Sequence, residues 1–207
     1  MFEPHGPKRF SDIVTDDETW FSFFIIPPKS LNRMWVDGQI DRPAMLRPGF
    51  QSRKRMFTVF FNSRGSLAVD ILPQDTKMTA TYYVQDVLSQ VMSAINEQRS
   101  KFSTSKTLFL HDNAGPHKAR ATTQSLRKLG IQVLPHPAYI PDLAPCDFWL
   151  FPILKGRLAG QKFHRIQDFA KAVNSELRTI PEEDYQGAFR ITLKRCIESH
   201  GEYFKGL

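Results

Sequence analysis

The sequence predicts an α/β domain, a mixed sheet covered by helices. Three observations carry that reading. Short runs such as 13–26 and 56–61 are rich in β-branched and aromatic residues, the composition of strands. Longer stretches at 79–99, 166–180 and 182–199 repeat apolar residues at helical spacing. The two kinds alternate as strand, hairpin, helix, strand, helix, strand and then helices, with no repeat or low-complexity tract that would divide the chain.

Residues 13–26, IVTDDETWFSFFII, stop at Pro27-Pro28. The stretch TDDE also has the form of a helix capping box, but the residues after it are poor helix formers, so a strand is expected. Alternation puts Thr15, Asp17 and Thr19 on one face and Asp16 and Glu18 on the other. A carboxylate inside such a strand is costly to bury unless it is paired or bound to a cation. One of these acids is therefore expected to have a cation beside it, the alternative being an edge strand with exposed acids.

Residues 34–55 hold prolines, glycines and charged clusters and predict an irregular excursion, with an arm or clamp-like loop at about 35–51. MFTVFFNSRGSLAVDILP reads as a hairpin turning at Asn-Ser-Arg-Gly. The helix at 79–99 should bury Val84, Val87, Leu88, Val91 and Ile95. KTLFLHD is a short buried strand, followed by a helix from Pro116 to a stop at Gly130. IQVLPHP is expected to be a second short buried strand. Pro145 opens a helix with Asp147 in its first turn, and Pro152 inside it should kink it or shift its start. The last two helices carry stripes of Ile166, Phe169, Ala170, Val173 and Leu177, and of Tyr185, Phe189, Cys196 and Ile197.

Composition narrows the function classes. With 207 residues, 41% of them hydrophobic, the chain can bury the core of a single domain. No run approaches the roughly 18 apolar residues of a membrane span, and the first residues lack a signal peptide's apolar centre. Two cysteines without paired spacing argue against a disulfide framework or a cysteine zinc site and for a reducing compartment. The net charge of +7 favours polyanionic partners. Arg53 to Arg55 and the set Lys118, Arg120, Arg127, Lys128, Lys155, Arg157, Lys162 and Arg165 suggest a broad basic surface rather than a tail.

Three acids stand at the ends or middles of elements expected to be buried. Asp17 lies in the first strand, Asp112 just past the strand of LFLHDNAGPH, and Asp147 in the first turn of the Pro145 helix. Each has an ordinary explanation alone: an exposed edge, a turn-forming Asp-Asn pair, and an acid favoured by a helix N-terminus. Together, three converging carboxylates in a basic chain suit magnesium and phosphodiester cleavage. A rival zinc site would draw on His111, Asp112, His117 and His136, although His111 and Asp112 should point oppositely along a strand.

VTDDETW, FLHDNAGPH and LPHPAYIPDLAPCDFWLF resemble, in this order, the catalytic signatures of mariner-type DNA transposases. The 34 residues between Asp112 and Asp147 equal the family's interval between its second and third catalytic acids, and the likeness runs from about Ile13 to the GEYF at 201–204. The resemblance implies a ribonuclease H-like fold. It also implies a nuclear enzyme that cleaves phosphodiesters at transposon ends and joins 3′-hydroxyl ends to target DNA. Its metal-binding aspartates fall on Asp17, Asp112 and Asp147, with Mg²⁺ as the cofactor, Mn²⁺ expected to substitute, DNA as partner and a homodimer as the active assembly. Gly115 stands where many relatives have Arg, and Ile140 where Ser is usual. The paired helix-turn-helix region that precedes the catalytic domain in the family is expected to be absent. A domesticated relative that binds DNA or protein without transposing is the alternative.

Overall fold

The computed structural model describes residues 12–25, 53–99, 107–135 and 140–198. The expected arm at about 35–51, the prolines at 27 and 28, and His136 lie outside the described residues.

The described strands form one five-stranded sheet in the order β3-β2-β1-β4-β5. The acid-bearing strand, β1 (Ile13–Ser22), is central. It pairs antiparallel with β2 (Lys54–Asn62), which places Asp17 opposite Val59. On its other side it pairs parallel with β4 (Leu108–Leu110), with Thr15 opposite Leu110. β2 turns back at Gly65 into β3 (Gly65–Ile71), as the hairpin pattern predicts. This central position corrects the edge-strand alternative, since the acids of β1 are flanked by neighbours on both sides.

β1 ends at Ser22 rather than at residue 26 because β2 begins only at Lys54, its last partner. Phe23 to Ile25 continue as a ribbon gripping the loop near residue 160. Phe23 N–H donates to the Arg53 carbonyl, and Gly160 N–H donates to that of Ile25.

Helices cover both faces. On one, α1 (Ala80–Tyr82), capped by the Thr79 hydroxyl at Tyr82 N, leads through a π-helical turn at Tyr83–Val87 into α2 (Leu88–Arg99). The wider turn shifts the helical phase, so Tyr83 is buried and Val84 is only partly so. Past β4, the helix expected from Pro116 to Gly130 is two helices, α3 (Gly115–Lys118) and α4 (Arg120–Lys128), parted at Ala119 by an extended ψ of 144°. The buried Thr122 hydroxyl donates to the Pro116 carbonyl at 2.6 Å and pins that break. β5 (Gln132–Val133) is an exposed edge strand instead of a buried one, because nothing pairs beyond it among the described residues.

On the opposite face, a 3₁₀ turn (Pro141–Leu143) and a π-helical turn (Cys146–Leu150) lead into α5 (Phe151–Arg157). Phe151 N–H donates to the Cys146 carbonyl five residues back, and Pro152 follows in the first turn of α5. α6 (Ile166–Thr179) and α7 (Glu182–Glu198) complete the layer. Phe169, Val173 and Leu177 of α6 are buried as expected. In α7 the buried stripe is Tyr185, Ala188, Phe189 and Thr192, whereas Cys196 is only partly buried and Ile197 is 63% exposed.

Two apolar cores sandwich the sheet. One joins Val14, Phe60 and Phe109 to Tyr83, Val87, Val91, Ile95 and Leu126. The other joins Phe21, Phe57, Val59 and Phe61 to α5, α6 and α7, with Phe169 at its centre. Phe169 stacks on Phe163 at 4.3 Å and meets Phe21 edge-on at 5.7 Å. Alternation along β1 therefore sends Asp17 towards the α5 layer and Asp16 and Glu18 towards the α2 layer.

Candidate active site

Asp17 and Asp147 meet on the α5 side of the sheet. β1 fixes Asp17, whose Oδ1 accepts the Glu18 N–H at 2.7 Å. Asp147 is delivered by the turn after Pro145, where its N–H bonds the Ala144 carbonyl at 3.0 Å. Burial and the adjoining Asp147 carboxylate together push the Asp17 carboxyl up to about 8. Two carboxyls this close cannot both stay ionised without a proton or a cation between them. Oxygen-only donors of this kind suit a hard divalent ion. The pair thus fits magnesium or manganese.

Asp112 comes just after β4, and the register of β4 on β1 brings the chain out of the sheet beside the acids of β1. Its Oδ1 accepts two bonds at 2.8 Å, from Ala114 N–H and from His117 Nδ1. The His117 bond holds the Asp112 carboxyl below the usual carboxylate range. The side chain remains 43% exposed.

Behind Asp112 lies a buried polar cluster. His117, 1% exposed, has Nε2 3.4 Å from Glu18 Oε1 and 4.0 Å from Asp16 Oδ2. These are charge contacts; neither oxygen lines up as a hydrogen-bond acceptor for that nitrogen. Burial opposes the imidazolium, yet the bonded Asp112 and the neighbouring Glu18 and Asp16 outweigh it and raise His117 to about 11. His111, buried and 4.7 Å from the His117 ring, is lowered to about 4 by its burial and by that positive charge. Asp16 rises to about 7, burial outweighing the attraction of His117, and its Oδ2 accepts the Tyr83 hydroxyl at 2.9 Å. The cation expected beside an acid of β1 is therefore His117.

Of the three acids singled out in the sequence, the structure joins Asp17 to Asp147 and binds Asp112 to His117. Among the described residues no three His, Cys, Asp or Glu side chains form a ready metal cage. That also bears on the zinc alternative, in which His117 already spends Nδ1 on Asp112. His111 and Asp112 do not point oppositely as strand residues would, because β4 ends at Leu110 and both reach His117. Sequence reasoning missed Tyr83 and the linking role of His117. An imidazole directly after Pro116, in the first turn of α3, was the available signal for the second; for the first, the apolar stripe was read through Val84 instead.

The family described as Transposase (partial DDE domain) matches residues 28–105, a stretch between Asp17 and Asp112. The Mariner Mos1 transposase of Drosophila mauritiana is 30% identical over 198 residues, covering 93% of this chain and 56% of that protein. The human histone-lysine N-methyltransferase SETMAR is 28% identical over 203 residues, 97% of this chain and 29% of that one. The chain thus spans little more than half the length of the first relative and under a third of the second. Among solved structures, the catalytic domain of Mos1 mariner transposase superimposes with a TM-score of 0.72 at 28% identity, over 95% of this chain and 85% of that one. The Mos1 mariner paired end complex with Mn gives 0.82 at 31% identity, over 95% and 57%. The sheet order and its flanking helices are those of the ribonuclease H-like fold of that domain. By sequence along nearly its whole length, and by fold, the chain belongs with the catalytic domains of mariner-type transposases.

Proposed function

We propose that the chain acts as a metal-dependent DNA transposase domain, cleaving phosphodiesters at transposon ends and joining the 3′-hydroxyl ends to target DNA. The observation that carries this is the meeting of Asp17 and Asp147, where burial and mutual repulsion raise Asp17 to about 8. With Asp112, these residues would hold Mg²⁺ or Mn²⁺. A bound divalent ion supplies there an activated water or hydroxyl and stabilises the leaving oxygen. Solved Mos1 complexes with Mg and with Mn support the choice of metal.

The chain's own residues divide the remaining work. Asp17 gives up its proton when its charge is needed, and Asp147 stands beside it. Asp112 stays ionised because His117 donates to it. Lys118, Arg120, Arg127 and Lys128 stand exposed on α3 and α4, immediately after the Asp112 loop, where they can bind the phosphate backbone. Mos1 forms a paired-end complex with a left transposon end, which supports transposon-end DNA and a dimeric assembly as partners; action on chromosomal DNA would place the chain in the nucleus.

The second reading, a domesticated module without transposition, is favoured by one observation. A comparable stretch occupies 29% of a human protein named for histone methylation. Nicking of plasmid and pre-cut DNA ends with Mg²⁺ or Mn²⁺ separates the two. The enzyme reading expects cleavage by the parent and a loss of at least about 100-fold in Asp112→Ala with DNA binding retained. Equal inertness of parent and variant, both still binding DNA, selects the domesticated module.

A further inference from the structure

We propose that His117 is a positioning residue for the metal centre: clamped beneath β1 by Glu18 and Asp16, its ring fixes one oxygen of Asp112 and leaves the other for a cation. The inference rests on the proposed role of Asp17, Asp112 and Asp147 as ligands and adds residues that the motif likeness does not assign.

Several independent contacts fix the ring. His117 N–H bonds the Ala114 carbonyl at 3.0 Å, so the first turn of α3 sets where the side chain starts. Its ring lies 4.6 Å from that of Tyr83 and 4.7 Å from that of His111, and these flank it. Nε2 faces Glu18 at 3.4 Å and Asp16 at 4.0 Å, both on β1. Asp16 is itself held by the Tyr83 hydroxyl. Only Nδ1 is left to reach Asp112, which it does at 2.8 Å.

The consequence for Asp112 is geometric. Both of its bonds land on Oδ1, one from the loop backbone at Ala114 and one from His117. A carboxylate held by one oxygen in this way cannot swing, and its Oδ2 is the oxygen it can offer. Because β1 also carries Asp17, one strand orients two of the three acids. Asp17 does so directly on one face; Glu18 and Asp16 do so on the other, through His117. Groups that fix a metal-ligating carboxylate commonly contribute about 10- to 100-fold in metal affinity.

The test is Mn²⁺ titration of the whole chain by calorimetry, without DNA, beside the metal-free melting temperature and the nicking rate. His117→Asn keeps a donor close to the Nδ1 position; His117→Gln places it near Nε2. The expected result is that His117→Gln and His117→Ala bind Mn²⁺ about tenfold or more weakly, whereas His117→Asn stays within about threefold of the parent. Glu18→Gln, which loosens the clamp without touching Asp112, should weaken Mn²⁺ binding by a smaller factor. Parent-like Mn²⁺ affinity in His117→Ala overturns the proposal. So does a loss in His117→Asn as large as that in His117→Gln. The ring nitrogens of the unmutated protein give a check that needs no variant to fold: nitrogen NMR must show Nδ1 of His117 carrying a proton, and a bare Nδ1 overturns the proposal. Failure of the parent itself to bind Mn²⁺ refutes the metal site as a whole, which is a distinct outcome.

Discussion

Asp17 shows how a residue proposed as a metal ligand can cost stability in the metal-free protein. Burial and Asp147 raise its carboxyl to about 8, well above the ordinary value of 3.8. A group whose folded value is raised favours the folded state fully below its unfolded value. That contribution is lost as pH climbs through the folded one. The metal-free protein should therefore lose stability between about pH 4 and pH 8 on account of this residue. Asp17→Asn removes the penalty, and calorimetry at pH 8 without divalent ions should show it melting higher than the parent by on the order of 3 °C or more. The same variant should be inactive in nicking, and added Mg²⁺ should raise the melting temperature of the parent but not of the variant. Strand alternation in the sequence was enough to place Asp17 and Asp16 on opposite faces. It was not enough to find the partner of Asp112, because the path from Leu110 to His117 is a loop and helix start whose direction no periodicity encodes.

Among the elements, α6 is the clearest case of pattern becoming packing. Its regular spacing named Phe169, Val173 and Leu177, and all three are buried. Phe169 is wedged among Phe21, Phe23, Phe57 and Phe163, so Phe169→Ala should cost about 3–5 kcal/mol in urea unfolding. Elements with irregular turns were less legible. The stripe read from Val84 placed Val87, Leu88, Val91 and Ile95 correctly in the core, but at the start of the π-helical turn Tyr83–Val87 the buried position belongs to Tyr83, a residue with a polar tip, and Val84 is only partly buried. Tyr83 was hidden for this reason. The break at Ala119 was hidden for another: it rests on the Thr122 hydroxyl reaching back to Pro116. Pro152, in contrast, was legible as an irregularity, and a π-helical turn stands immediately ahead of its helix.

For the whole molecule, the net charge of +7 sets the expected response to salt. Affinity for duplex DNA should fall on a log-log plot against salt, with a slope near −0.9 for each phosphate neutralised. Lys118→Glu with Arg120→Glu should lower that slope by about two in fluorescence anisotropy, while Arg165→Glu, whose guanidinium already pairs with Asp168 at 2.9 Å, should change it less. The α/β class and the mixed sheet were readable from the alternation of short apolar runs and amphipathic stretches. Which strand stands at the centre was not, because strand order depends on pairings between distant segments. That order has a consequence for biosynthesis. β1 is made first, but its neighbour β4 and its facing acid Asp147 arrive only after most of the domain has been translated. A nascent chain stalled on the ribosome before the Pro145 turn would carry one half of the acid pair and no partner for it, so the candidate metal site assembles only once β1, β4 and that turn have all been made.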